Sequence, residues 1–289
     1  LRIENGTTLT DVFGLYTVAV LDAATYGAAD AVRYMGERET ISARNLLVHL
    51  LAPGDSSYDL AARRHSLGDP AQTLTRTLDA LSLPAGAGPL LLTGGLAPDS
   101  PVWERFLELA GEEEAPLLIV AAGYPNDRPA QRAADKVGKQ LGGAYDSAVL
   151  SKNGDDALVI DGDYRGIVML ARDQSLLQPE RLAAIKDAWL AGVPLLLDGA
   201  AAALAGPVFS AHGPTPEEAD AAEIATQRSF LEGRTVITDG LALLDIMVEP
   251  ALLADNRWGR LFSLAFTNPE RVAFGVADDS ALVIDADGT

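Results

Sequence analysis

Residues 194–203 read Pro-Leu-Leu-Leu-Asp-Gly-Ala-Ala-Ala-Ala, a short apolar run that ends in an acid and a series of small residues. Similar runs recur after residue 88, and each is short and apolar enough to be a strand buried on both faces. The strands predicted in this way are 89–93, 116–121, 157–160, 166–170 and 194–197.

Amphipathic stretches separate these runs. Ser100 can cap a helix with Pro101 at its first position, and two further helices are predicted over 129–141 and 179–190. Strands that alternate with helices are typical of βαβ units around a parallel sheet. The sequence therefore predicts an α/β fold with a mainly parallel sheet.

The chain divides into three parts by pattern. Residues 1–66 form a β-rich segment with β-type stretches at 15–21 and 46–51, residues 67–87 a polar helix and linker, and residues 88–289 the α/β domain, with a boundary near residue 85. Within the domain, a loop and short acidic helix are predicted over 210–223. Strands follow at 235–238, 245–248, 272–276 and 281–284, with an amphipathic stretch at 256–266.

Charge and composition exclude several classes of function. A net charge of -19 disfavours nucleic acid and anionic membrane surfaces as partners, although a cationic partner stays open. No stretch reaches the roughly 18 apolar residues of a membrane span. The absence of cysteine excludes disulfides and thiolate chemistry. We expect a soluble protein, and the sequence does not decide between the cytoplasm and export with the signal already removed.

Three stretches carry more specific motifs: Leu-Thr-Gly-Gly at 92–95, the strand at 166–174 that ends in Ala-Arg-Asp-Gln, and residues 194–203. Together they resemble the cyanophycinase family of serine peptidases. In the second, Asp173 and Gln174 match the family's Gly-Gly-Asp-Gln, but both glycines are replaced. The resemblance implies a bacterial hydrolase fold, a three-layer sandwich like that of class I glutamine amidotransferases.

The third stretch aligns with the family's nucleophile elbow, Gly-Thr-Ser-Ala-Gly-Ala. An elbow must hold the nucleophile's oxygen clear of the sheet and aim the next backbone N–H at the oxyanion. The resemblance puts Ala200 at the position of the serine, and residues 192–206 contain no Ser, Thr or Cys that could replace it.

The tail gives a second comparison with the family. Gly-Arg-Leu at 259–261 and the acidic stretch 275–283 match, and this alignment puts Glu249, Pro250 and Ala251 at the family's Asp-Gln-His. The histidine base is thus replaced by Ala251. Arg257 and Arg260 fall on two of the family's arginine positions, whereas Asp255 replaces a third.

These departures predict a catalytically silent relative, a pseudoenzyme that binds a peptide or carboxylate ligand in the former active-site cleft or has a structural role. The predicted ligand-binding residues are Gln174, Asp173, Ala201, Glu249, Arg257 and Arg260, with no metal and no cofactor.

An active peptidase with displaced residues is the alternative. It would cleave β-aspartyl or acidic peptides, and Ser210 with His212 is the pair that could carry the reaction. A purely structural subunit is a third hypothesis. The two arginines also have an alternative role, ion pairing with Glu249 or Asp255.

The two ends of the chain also resemble family sequence. Residues 281–289 look like a strand that should continue, and residues 1–22 and 46–60 resemble the β tail of longer, exported relatives. A circular permutation, a tandem protein and an exchange of tails between copies all explain this pattern. A homodimer or a tandem partner domain is therefore expected.

Overall fold

The computed structural model describes residues 83–111, 114–152, 154–211, 235–255, 257–268 and 270–284, together with six short strands before residue 67. The chain divides into two compact units, Leu1–Thr75 and Arg76–Thr289. The predicted divisions at residues 66 and 87 stay predictions. The helix expected near 69–81 and most of the segment 210–223 lie outside the described residues.

The first unit has six described β strands: Arg2–Ile3 (β1), Thr8–Thr10 (β2), Val18–Asp22 (β3), Leu47–Leu51 (β4), Ser57–Asp59 (β5) and Arg64–Ser66 (β6). Four of them form an antiparallel sheet in the order β1-β2-β5-β6, and β3 pairs antiparallel with β4 in a register that joins Val18 to Leu51. The β-type stretches expected at 15–21 and 46–51 correspond to β3 and β4.

The second unit is built on a six-stranded sheet. Its strands are Leu90–Thr93 (β7), Leu117–Tyr124 (β8), Tyr145–Ser151 (β9), Gly166–Ala171 (β10), Leu195–Gly199 (β11) and Ala281–Ile284 (β16). Their order in the sheet is β16-β7-β11-β10-β8-β9, in which five strands are parallel and β16 runs antiparallel to β7. The central strands are mostly apolar, as expected where both faces of a sheet are covered.

Successive side chains of the central strands enter two separate cores. Leu91 packs against the helices Pro101–Ala110 (α1) and Asp127–Leu141 (α2), whereas Leu90 packs with the helix Ala183–Leu190 (α3) on the opposite face. This two-sided covering confirms the predicted three-layer α/β fold with a mainly parallel sheet.

The start of α1 follows the predicted capping pattern. Ser100 is the N-cap, its Oγ accepts a hydrogen bond from the backbone N–H of Val102 at 3.4 Å, and Pro101 occupies the first position. Gly111 ends the helix with φ 75°, a conformation that favours glycine. The helix predicted over 179–190 is instead a 3-10 turn at Pro179–Arg181 followed by α3.

The strand predicted over 157–160 is wrong. These residues have no regular structure, and the backbone N–H of Leu158 donates to Arg181 O at 2.8 Å rather than to a neighbouring strand. The strand that flanks β8 is β9, which the sequence analysis missed. Two β9 residues, Asp146 and Ser147, are exposed, so the strand lacks the continuous apolar pattern of the inner strands.

The segments that follow β11 form a smaller layer. The strands Val208–Ser210 (β12) and Ile237–Asp239 (β13) are antiparallel, and Ile246–Pro250 (β14) pairs in parallel with Val272–Val276 (β15). The last helix, Trp258–Thr267 (α4), lies between β14 and β15 in sequence. The tail strands predicted at 235–238 and 245–248 correspond to β13 and β14 with shifts of one or two residues, and the one predicted at 272–276 is β15. The fourth, 281–284, is β16 of the main sheet.

A substitution at Phe106 tests the assignment of the core on the α1 face of the sheet. Its side chain is fully buried between α1 and the sheet, and replacing it with alanine should lower the free energy of unfolding by about 3–5 kcal/mol because a cavity is left. Phe266 on α4 is 65% exposed, so Phe266→Ala is the matched control and should change stability by about 0.5 kcal/mol or less. Urea unfolding followed by circular dichroism measures both. Equal losses would contradict the assignment of this core.

Candidate functional site

The end of β11 forms a sharp turn at the carboxyl edge of the sheet. Gly199 has φ 60° and ψ -130°, a conformation that L side chains rarely adopt, and a 3-10 turn over Ala200–Ala205 follows. A Cβ atom at Gly199 would lie 2.9 Å from the carbonyl oxygen of Ala171. The chain thus has the strand–turn–helix geometry of a nucleophile elbow.

No hydroxyl group is present on this turn. In an elbow, the residue on the strained turn presents the nucleophile, and that residue is Gly199, one position before Ala200. Ala200 is 5% exposed and belongs to the core, as do the other residues of Ala200–Ala205. Neither Gly199 nor Ala200, the residue that the resemblance aligned with the serine, carries a side-chain oxygen.

Glu249 is the centre of a buried polar network beside this turn. Its side chain, at the end of β14, is fully buried. Ser210 of β12 donates its hydroxyl to Glu249 Oε2 at 2.5 Å. The Nε2 atom of Gln174 donates to Ser210 Oγ at 3.2 Å and to Glu249 Oε1 at 3.4 Å. Three segments distant in sequence therefore meet at one carboxyl group.

Arg257 is firmly held in this network. Its Nε and Nη2 atoms both donate to Asp255 Oδ2, at 3.0 and 2.6 Å. Its Nη1 atom donates to the Oε1 atom of Gln174 and lies 3.4 Å from Glu249 Oε1. All three nitrogens of this guanidinium group have partners, so Arg257 occupies the ion-pairing role that the sequence left open.

Arg260 is held more loosely. Its Nη1 atom lies 3.3 Å from Gln174 Oε1 and 3.9 Å from Glu249 Oε1, and its side chain is 11% exposed. Among the described residues, its Nε and Nη2 atoms have no hydrogen-bond partner. A guanidinium group carries five N–H donors, so Arg260 keeps free donors at the edge of the network.

Burial sets the electrostatics of the network. It raises the pKa of Glu249 above its usual range, while Arg257 and Arg260, and the hydrogen bonds from Ser210 and Gln174, act in the opposite direction. Burial lowers the pKa of Arg260, and the charge of Glu249 opposes that change. Each group is costly to bury alone, and their proximity offsets part of that cost.

The structure brings together four of the six predicted ligand-binding residues: Gln174, Glu249, Arg257 and Arg260. Asp173 is adjacent but differently engaged, because its Oδ1 atom accepts from the backbone N–H and hydroxyl of Ser175.

Two other residues singled out by the resemblance have no polar side chain to offer. Ala201 is fully buried in the core. Ala251 follows β14 with φ 51°, and its carbonyl oxygen accepts a hydrogen bond from Asp255 N at 3.2 Å. The strand β14 itself packs against the turn Ala200–Ala205, so the predicted base and nucleophile positions belong to contacting elements.

A second polar group at the same edge of the sheet was missed from the sequence. Asp198 Oδ1 accepts a hydrogen bond from the Thr93 hydroxyl at 2.6 Å and from Leu96 N at 2.9 Å. Burial raises the pKa of Asp198. The pKa of Tyr124 is also raised, mainly by burial and to a smaller extent by the negative charge of Asp198. The only indication in the sequence is that an acidic residue directly precedes the turn. Its hydrogen-bond partners could not be predicted, because they depend on the register of the strands.

The described residues contain no cluster of three His, Cys, Asp or Glu side chains that could hold a metal ion. In the same part of the chain, no helix is long and apolar enough to cross a membrane. His212, proposed as a base for Ser210, lies outside the described residues.

No protein-family model matches the sequence, and no curated protein is significantly similar to it. Among solved structures, the chain is similar to a "Putative Peptidase E Protein" from Listeria monocytogenes EGD-e. The TM-score is 0.42 and the sequence identity 14%, over 68% of this chain and 94% of that chain. The three-layer α/β assignment follows from the strand order and the two cores, independently of this similarity.

Glu249 and Asp255 are both partners of Arg257, and they differ in burial. Glu249→Ala should lower the free energy of unfolding by about 3–5 kcal/mol, because it leaves two largely buried arginines without their central partner. Asp255 is 53% exposed, so Asp255→Ala is the control and should cost about 0.2–1 kcal/mol. Urea unfolding at neutral pH measures the two variants. Equal, small losses would contradict the central position of Glu249.

Proposed function

We propose that this protein is a catalytically silent relative of the cyanophycinase-like serine peptidases that binds a ligand carrying a carboxylate group at Arg260. The observation that carries the proposal is the contrast between the two arginines. Arg257 has all its nitrogens engaged by protein groups, whereas Arg260 keeps its Nε and Nη2 atoms free of described partners.

A carboxylate fits these free donors. The planar guanidinium group can offer Nε and Nη2 as a pair of parallel N–H donors, which matches the two oxygens of a carboxylate. The position is also favourable energetically, since the side chain of Arg260 is mostly withdrawn from water and its charge is poorly screened there. An uncharged ligand could offer these donors only neutral acceptors, which form weaker hydrogen bonds than a carboxylate does.

The absence of peptide cleavage is the second part of the proposal. Neither Gly199 nor Ala200 carries a nucleophile, and Ala251 stands at the position of the base in the resemblance. Only the positioning of the substrate remains. In a serine peptidase without its catalytic triad, such residual effects accelerate cleavage by roughly 10³- to 10⁴-fold over the reaction in water. We therefore infer that a bound peptide stays intact.

A displaced-nucleophile peptidase is the second candidate, because Ser210 donates to a carboxyl oxygen of Glu249 at 2.5 Å. A nucleophilic serine needs an adjacent general base, and a carboxylate that accepts its hydroxyl proton could act as one. Against this role, Ser210 is fully buried, and its hydroxyl is already engaged by both Gln174 and Glu249.

Binding of the dipeptide β-aspartyl-arginine, followed by calorimetry, tests the proposal. Arg260→Met should weaken binding roughly 10- to 150-fold, the loss expected when about 1.5–3 kcal/mol of charge-assisted hydrogen bonding is removed. Arg260→Lys should keep part of the affinity. Arg128→Met removes an exposed arginine at the start of α2 and is the matched control, with affinity unchanged.

Mass spectrometry of the same mixtures separates the two candidates. We expect the dipeptide to be recovered intact after prolonged incubation. Cleavage that is abolished by Ser210→Ala would overturn the silent assignment in favour of the displaced nucleophile. Equal binding by the wild type and Arg260→Met would overturn the carboxylate site.

A further inference from the structure

The strand β9 leaves one of its edges open. Leu117 N donates to Ala144 O at 3.0 Å, so the main chain of the even-numbered residues of this strand faces β8. The N–H and C=O groups of Ser147, Val149 and Ser151 therefore point the other way. The Ser151 carbonyl oxygen accepts hydrogen bonds from Gly154 N at 3.3 Å and from Arg181 Nη1 at 2.8 Å. No described residue bonds the outward main chain of Ser147 or Val149.

A groove of about 420 Å³ lies along this open edge. One wall is formed by residues 148–151 of β9 and another by residues 156–159, the segment that was expected to be a strand. Asp127 and Arg181 complete much of the lining. A volume in this range is typical of sites for small ligands and short peptide segments.

We propose that this groove binds an extended, basic peptide segment that adds to β9 as a further strand. An edge strand with unpaired main-chain groups is a template for such addition, in which backbone hydrogen bonds give affinity and alternate side chains give specificity. The outward N–H and C=O of Val149 are the groups that would bond the incoming main chain.

The charges around the groove favour a basic occupant. Asp127 and Asp156 line it with exposed carboxylates. The single lining arginine, Arg181, is committed to the protein: its Nε donates to Asp156 O at 2.8 Å, and its Nη1 donates to Ser151 O and to Gln178 Oε1. These acceptors are uncharged, so the guanidinium group keeps its positive charge. The lining carries two carboxylates against this one guanidinium group, an excess of one negative charge next to the backbone donors and acceptors.

The same reasoning disfavours a second copy of this chain as the occupant. Each copy carries a net charge of -19, and its own β9 would bring Asp146 against the acidic lining. Like charges placed together at an interface oppose association, whereas a basic segment gains both steering and affinity.

Apolar contacts add to the fit on one side of the incoming strand. Val159 is 74% exposed although it lines the groove, and Leu158 beside it is nearly buried. Successive side chains of an extended peptide point to opposite faces. We therefore infer a segment in which small apolar residues alternate with lysine or arginine.

Fluorescence anisotropy with the labelled peptide Val-Lys-Val-Arg-Val-Lys tests the inference on the full chain. We expect saturable binding that weakens with salt, and no binding of the matched peptide in which glutamate replaces each basic residue. Val149→Pro removes the outward N–H and should weaken binding at least tenfold. Val149→Ala keeps that N–H and should bind within about twofold of the wild type.

Val149→Pro should fold, because proline is tolerated on an edge strand where its nitrogen faces away from the ladder. Hydrogen exchange on the wild-type protein tests the same point without a variant. We expect the Ser147 and Val149 amides to exchange more slowly when the peptide is present. Equal binding of both peptides, unchanged exchange at these amides, or a dimer abolished by Val149→Pro would overturn the proposal.

Discussion

The fully buried carboxyl group of Glu249 is the interaction around which the carboxyl edge of the sheet is organised. It is contacted by Ser210 of β12, by Gln174 after β10, and by the arginines at the start of α4. Burying an acid is costly unless several partners reach it together. The positions of these separate segments are therefore interdependent, because the loss of any one partner would leave the buried carboxyl group without part of its hydrogen bonding.

The turn after β11 has a different basis. Gly199 adopts a strained conformation and approaches the backbone of Ala171, so glycine is suited to this place. The residues Ala200–Ala205 are all buried and pack with the core on the α3 face. A turn that resembles a catalytic elbow in shape is here stabilised by small apolar side chains. The polar network beside it contains Arg260, whose Nε and Nη2 atoms have no hydrogen-bond partner among the described residues.

Much of the fold was predictable because the inner strands are apolar on both faces, as in Leu90–Thr93. The edge strand β9 was not, because its exposed positions break that pattern, and residues 157–160 are apolar without being paired. The resemblance predicted that Gln174, Glu249 and Arg260 belong to one binding site. It could not separate the roles of the arginines, since these depend on side-chain geometry. The bond from Thr93 to Asp198 depends on a register that joins residues 105 positions apart.

The proposed loss of peptidase chemistry is tested most directly by labelling the wild-type protein with a fluorophosphonate probe and measuring its intact mass. Such a probe reacts with an activated serine and with little else in a folded protein. We expect no stoichiometric adduct, because Gly199 and Ala200 lack a hydroxyl and Ser210 is buried against Glu249. One adduct per chain, mapped to Ser210 or another serine, would contradict the account and identify the protein as an active serine hydrolase.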